Sequence, residues 1–323
     1  MGCSQSKTAV SDVRPSSGVR KVKDKKNNNS KSVAPEPEAV KPKDTYAVYR
    51  SSHDAKLMLE KDCTMRGVTF LSNGALIAAD YKNNKLKLFS DKFEFVHGLE
   101  LESAPWDVCQ ATNCEDQLLA TVPYMKQVYR IGLTKVKGQM RLDIICTFRT
   151  EGFCWGVTCF DTGVAVSVKV AIAEDTWPKP PEFQVHIHEF DGTFRRAIIY
   201  DPDGLSFFME AKYLNVTYDD LFLLVSDYKA SAVLCINNED ELIYTYKEMQ
   251  NPNGIAMDEG KNLHITSFFG AQRVHKVGAN GKYKDGLPLD EDRPLFPQSI
   301  CYRKRDKIIV MTTDHSIEVY KLI

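Results

Sequence analysis

The stretch Pro252–Tyr283, PNGIAMDEGKNLHITSFFGAQRVHKVGANGKY, decides the fold. It opens on a short apolar run, Gly254-Ile255-Ala256, and breaks at Asp258-Glu259-Gly260-Lys261-Asn262, where turn formers cluster. Leu263-His264-Ile265 reads as a second strand, and Val274-His275-Lys276-Val277 as a third that leads into the turn Gly278-Ala279-Asn280-Gly281. Three short strands joined by tight turns leave no room for a helix of ordinary length.

The same grammar recurs outward from this phrase. Six segments superimpose, starting at Arg66, Trp106, Trp155, Glu210, Asn253 and Gln298, at spacings of 40, 49, 55, 43 and 45 residues. A period in this range with several strands per repeat predicts an all-β fold, a six-bladed β-propeller over residues 46–323. The ends agree with it. The last repeat stops after its third strand, Ile317–Ile323 (IEVYKLI), and a strand-like stretch at Asp54–Asp62 (DAKLMLEKD) precedes the first. If that N-terminal stretch supplies the last blade's outer strand, the ring closes and no edge is left open.

Pro252-Asn253-Gly254-Ile255-Ala256-Met257-Asp258 resembles the opening of an NHL repeat, and the chain is similar to the NHL-repeat, tripartite-motif C-terminal and gluconolactonase-like propellers. Shorter echoes stand at Arg66-Gly67-Val68 and Trp155-Gly156-Val157. In a propeller the residues that open each innermost strand ring the central mouth, which puts Arg66, Trp106, Trp155, Glu210, Asn253 and Gln298 there as a recognition surface, with Trp106 and Trp155 alternatively plugging gaps between blades. In the gluconolactonase-like hydrolases the channel holds Ca²⁺ or another metal on Glu, Asn and Asp side chains. Here Glu210 and Asn253 match, Asp107 stands nearby, and the remaining ring positions are one cation, two indoles and one amide. A dication needs several oxygen ligands and no adjacent guanidinium. The expected protein is therefore a non-enzymatic binding module with no cofactor and no metal; a metal-dependent lactonase- or esterase-like hydrolase is the alternative. The third repeat carries an insertion, residues 170–182, that sets Trp177 among prolines beside the mouth.

Other chemistry is thinly represented. His186 and His188 share one strand face but lack an evident third ligand, so solvated surface histidines are expected. Cys109 and Cys114 likewise read as free thiols, and Asp201-Pro202-Asp203-Gly204 as a turn.

Residues 1–45 differ from the rest. Positions 4–44 are rich in Lys, Ser, Asn and Pro and hold no aromatic residue, so they are expected to form a disordered tail. The start, MGCSQSK, fits N-myristoylation at Gly2, and the adjacent Cys3 is placed for S-palmitoylation. It resembles the starts of dually acylated, membrane-tethered kinases and calcium sensors. One myristoyl chain binds a bilayer at only about 10⁴ M⁻¹, so a second signal is needed, and both Cys3 and the cluster Arg20–Lys26 offer one.

Composition places these readings. The 323 residues carry a net charge of −1, made of 42 basic and 43 acidic side chains. Ten basic and five acidic residues fall in 1–45, which leaves 32 basic and 38 acidic beyond it. A basic tail on an acidic disc predicts attraction to an anionic leaflet and no affinity for nucleic acid. No apolar run suggests a signal peptide or a membrane span, and nine cysteines in an unexported chain make a disulfide framework unexpected. The expected protein is a lipid-anchored monomer at the cytoplasmic face of the plasma membrane, binding a protein partner.

Overall fold

The computed structural model describes residues 46–112, 114–172, 181–269, 274–287 and 296–323. They form six four-stranded antiparallel sheets, the blades of a propeller. The innermost strands are Met65–Phe70, Val108–Gln110, Phe153–Phe160, Ala211–Val216, Pro252–Met257 and Ser299–Arg303. Each begins within three residues of the repeat start read from the sequence. Within the first five blades the remaining strands follow outward in chain order, as short connections require, and in the sixth Ala47–Asp54 takes the outermost place.

Each blade is covered on both faces by its neighbours, so its middle strands are apolar on both sides. Leu76–Asp80 is buried throughout, as is Leu263–Ser267. The core is accordingly divided. Six apolar clusters among the described residues each fill one junction between adjacent blades, for example Ile77, Leu86, Leu118 and Ile131 between blades 1 and 2.

The ring closes through the N-terminus. Ala47–Asp54 pairs antiparallel with Ser316–Leu322, from Ala47 opposite Leu322 to Asp54 opposite Ser316, and Tyr46 and Ile323 exchange backbone hydrogen bonds beyond it. The closing strand was expected at Asp54–Asp62 and instead ends where that stretch begins. The acidic residues explain the shift. Asp54 accepts the Lys56 amide at 2.8 Å and Glu60 the Leu57 amide at 2.9 Å, so residues 54–60 curl into a turn with Met58 and Leu59 95% and 94% exposed. Lys87 braces the turn from within. Fully buried, it pairs with Asp80 at 2.7 Å and with Glu60, and donates to the Ala55 carbonyl at 2.8 Å.

Around the axis the blade junctions alternate between two kinds. Gly67, Gly156 and Gly254 sit in the innermost strands of blades 1, 3 and 5. A Cβ on them would lie 2.6 Å from Asp107 Cα, 2.7 Å from the Lys212 carbonyl oxygen and 2.7 Å from Ser299 Cα of the next blade. Thus blade 1 meets 2, blade 3 meets 4 and blade 5 meets 6 backbone to backbone. At the intervening junctions a buried hydroxyl crosses instead: Thr121 donates to the Trp155 carbonyl (2.5 Å), Ser226 to Asn253 (2.5 Å) and Thr312 to Met65 (3.4 Å). The three x-Gly-Val/Ile fragments of the sequence mark the first kind of junction. Gly156→Ala is expected to destabilise the protein by about 1–3 kcal/mol, because the Cβ meets rigid backbone. Gly132→Ala, whose nearest neighbour is the flexible Ile145 side chain, should be tolerated. Thermal denaturation of both variants checks this.

Candidate functional site

Where the innermost strands begin, blades 1, 3 and 5 each carry a β-bulge, between Met65 and Val68, Cys154 and Val157, and Pro252 and Ile255. A bulge re-aims the side chains it contains. The residues so placed are Arg66, Trp155 and Asn253, beside the glycines of the close junctions. A further bulge in blade 4, between Ala211 and Tyr213, displaces Lys212.

These side chains surround a pocket of about 310 Å³ lined by Arg66, Trp106, Lys212, Tyr228, Asn253 and Gln298, with Phe268, Phe269 and Asp314 completing it. Four of the six expected ring residues, Arg66, Trp106, Asn253 and Gln298, line it directly. Trp155 packs edge-on against Trp106, with centroids 4.7 Å apart. Glu210 does not line the pocket; its carboxylate holds Lys212 at 3.0 Å, and Lys212 takes the lining position. The segment bearing Trp177 bridges the second and third strands of blade 3, closed at its base by the Val170 amide on the Glu182 carbonyl (2.8 Å). Trp177 itself, like Gly2 and Cys3, lies outside the described residues.

Two cations organise the mouth. Arg66 donates to Gln298 Oε1 and lies 5.1 Å from the Trp106 ring and 5.8 Å from Tyr81. Lys212 sits 3.9 Å from the Tyr228 ring and 5.7 Å from Trp106. Both are cation–π contacts at partly desolvated sites. Lys212, Tyr228, Phe268 and Phe269 escape the sequence reading. Lys212 is turned inward by a bulge that leaves no mark in the sequence. The other three lie just after second strands, a position that the pair Phe268-Phe269 could have signalled.

Below the mouth the channel is blocked. Trp106 and Trp155 fill it together with Tyr213, whose hydroxyl donates across the axis to the Arg66 carbonyl at 3.1 Å. Beneath this plug lies a separate cavity of about 200 Å³ lined by the innermost strands of all six blades, with Asp107 near its upper end. Asp107 accepts the Val157 amide at 3.1 Å, and burial pushes its carboxyl up to about 7.

The donor set does not fit a dication. Glu210 is committed to Lys212, Asn253 shares the pocket with two cations, and no group of three or more His, Cys, Asp or Glu capable of holding a metal occurs among the described residues. His186 and His188 correct a second expectation. Both are buried, at 1% and 2% exposure, because a third strand is covered on both faces. Val185 and Ile187 face blade 4, and the imidazoles pack on Phe194, with Phe148 of blade 2 also against His188. Burial, then the neighbouring His188, holds His186 down at about 4.

The described residues define a six-bladed β-propeller with a polar, aromatic mouth. No protein-family model matches the chain, and no curated protein matches it. Among solved structures it is similar to a streptogramin B lyase at 12% identity, covering 84% of this chain and 98% of that one, with a TM-score of 0.59. It is equally similar to catalytically inactive virginiamycin B lyase from Staphylococcus aureus with quinupristin, at 12% identity over 84% and 99% and a TM-score of 0.58. A protein of unknown function from Bacteroides thetaiotaomicron gives 16% identity over 85% and 73%, and 0.63. At these identities the likeness is one of fold.

The two shifted groups predict opposite pH dependences. Asp107 has a folded value above its ordinary 3.8, so its contribution is full below about 3.8 and lost as pH rises through about 7. The melting temperature of Asp107→Asn relative to wild type should therefore climb between pH 4 and 7 and level off above. His186 has a folded value below its ordinary 6.5, so its contribution is present above about 6.5 and lost as pH falls towards 4. The His186→Phe variant should gain on wild type over that lower interval. Calorimetry across pH 4–8 reads both trends.

Proposed function

We propose that this protein is a membrane-tethered, non-enzymatic propeller that binds a protein partner through its mouth at the cytoplasmic face of the plasma membrane. The observation that carries the reading is the mouth itself: a concave pocket with two cations, four aromatic walls and two amides, where Glu210, one of the expected metal ligands, is held by Lys212 instead. A pocket of this size with few convergent polar groups suits recognition, and aromatic and Arg side chains are the usual anchors of an interface.

The start MGCSQSK supplies the tether and the basic cluster Arg20–Lys26 its electrostatic reinforcement. A random-coil chain of about 40 residues has a root-mean-square reach of roughly 35 Å. Tethering then raises the concentration of the mouth near membrane-bound partners without any new contact.

Metabolic labelling with an alkyne myristate tests the anchor. Wild type should take up the label and sediment with membranes, Gly2→Ala should lose both properties, and Cys3→Ser should weaken sedimentation less than Gly2→Ala does. Membrane association that survives Gly2→Ala sinks the tether. For the mouth, proximity biotinylation should show partners of the wild type that disappear with the double variant Arg66→Gln/Lys212→Gln; an unchanged set would place recognition elsewhere.

A further inference from the structure

Three buried N–H donors find no acceptor among the described residues: Arg66 Nε and Trp106 Nε1, on residues that line the mouth, and Nε1 of Trp155, packed against Trp106. A buried donor left unpaired costs about 1–3 kcal/mol, and native proteins contain few. Here three belong to side chains in mutual contact. The Arg66 guanidinium lies 5.1 Å from the Trp106 ring, and the two indoles are 4.7 Å apart. Trp106 is only 8% exposed, so water satisfies its N–H poorly.

The charges point the same way. Arg66 has no carboxylate partner among the described residues; a neutral amide, Gln298, holds it. Lys212, held by Glu210 at 3.0 Å, adds a second cation at the pocket wall, and among the described residues Asp314 is the one carboxylate that lines the pocket. A guanidinium is a fork that matches an oxyanion in two parallel hydrogen bonds, and pairing it with an amide leaves that capacity unused. The walls are aromatic: Tyr228, Phe268 and Phe269, with Phe269 47% exposed. The space, about 310 Å³, lies at the small end of ligand pockets.

Deepening the reading of the mouth as a recognition site, on which this step rests, we infer that it is a receptor for an oxyanion carried on a flat aromatic body. The head group is a carboxylate or a phosphate. Arg66 grips it bidentately, Lys212 neutralises it from the wall, and the indole N–H groups supply the donors that are otherwise unpaired. The aromatic body lies against Tyr228 and the Phe268-Phe269 pair. Such a group reaches the site either as a free small molecule or as the end of a peptide chain, and the head chemistry is the same in both.

The test uses the full-length, unacylated protein, labelled with ¹⁵N in its three tryptophan indoles. Benzoate, phenyl phosphate and N-acetylphenylalanine are titrated, with benzamide and N-acetylphenylalanine amide as uncharged controls. An anion should move two indole N–H signals downfield together, those lost in the Trp106→Phe and Trp155→Phe variants. The uncharged controls should bind at least about tenfold more weakly. Arg66→Met should weaken anion binding by a similar factor, and Lys212→Met, at a wall rather than in the plug, should weaken it less while keeping the fold. Stronger binding by N-acetylphenylalanine than by benzoate identifies a chain terminus as the source; the reverse identifies a free small molecule. Equal binding of anions and amides, anion binding unaltered in both variants, or no indole shift with any anion at 10 mM would overturn the proposal. The titration needs neither acyl chain nor partner, so a failed tether leaves its outcome unchanged.

Discussion

The structure depends on one antiparallel ladder, that between Ala47–Asp54 and Ser316–Leu322. A propeller blade is a twisted sheet whose two faces are stable only when covered, and an open arc of blades would leave the first and last half-bare. The C-terminal end supplies three strands of the last blade and the N-terminal end the fourth, so both terminal segments are held in one sheet. Immediately after this strand the chain enters the turn that Lys87 fastens to blade 1. The buried cation is satisfied by two carboxylates and a carbonyl, the condition under which a charge in the interior is stabilising rather than costly.

Closure fixes the distance of every innermost strand from the axis, and the alternating junctions follow from it. Three junctions bring backbones together, which only glycine permits, and three are bridged by a hydroxyl to a carbonyl. The glycines lie within bulges, and those bulges lift Arg66, Trp155 and Asn253 to the mouth. The residues that let the ring pack and the residues that shape its pocket are therefore neighbours in sequence for a geometric reason. A site built on three bulges in a closed ring is held by the whole ring, which is what allows donors to remain unpaired there without local collapse.

Much of this was legible beforehand, because the repeat is written in turn chemistry and strand-length apolar runs that the fold obeys. The phrase at Pro252, the six starts and the missing fourth strand all depend on local signals. What failed were positions decided at longer range. Leu57, Met58 and Leu59 look like strand residues, but Lys87, far along the chain, holds Glu60 and the Ala55 carbonyl and fastens the turn that leaves Met58 and Leu59 in solvent. His186 and His188 look like surface residues until Phe148 of the neighbouring blade covers His188 and Phe194 packs on both. Lys212 reaches the mouth, and Glu210 does not, because of a register shift between Ala211 and Tyr213 for which the sequence holds no marker.

The plug gives the axis two chemistries. Above Trp106, Trp155 and Tyr213 lies the pocket with its two cations; below them lies a cavity where burial favours the neutral form of Asp107. Burial beneath the plug is what raises its value to about 7, against the lowering pull of the backbone amides it accepts from. The same barrier keeps Arg66 without a carboxylate partner, so the isolation of the buried acid and the readiness of the exposed cation arise from one packing decision, two tryptophans meeting edge to face across the axis.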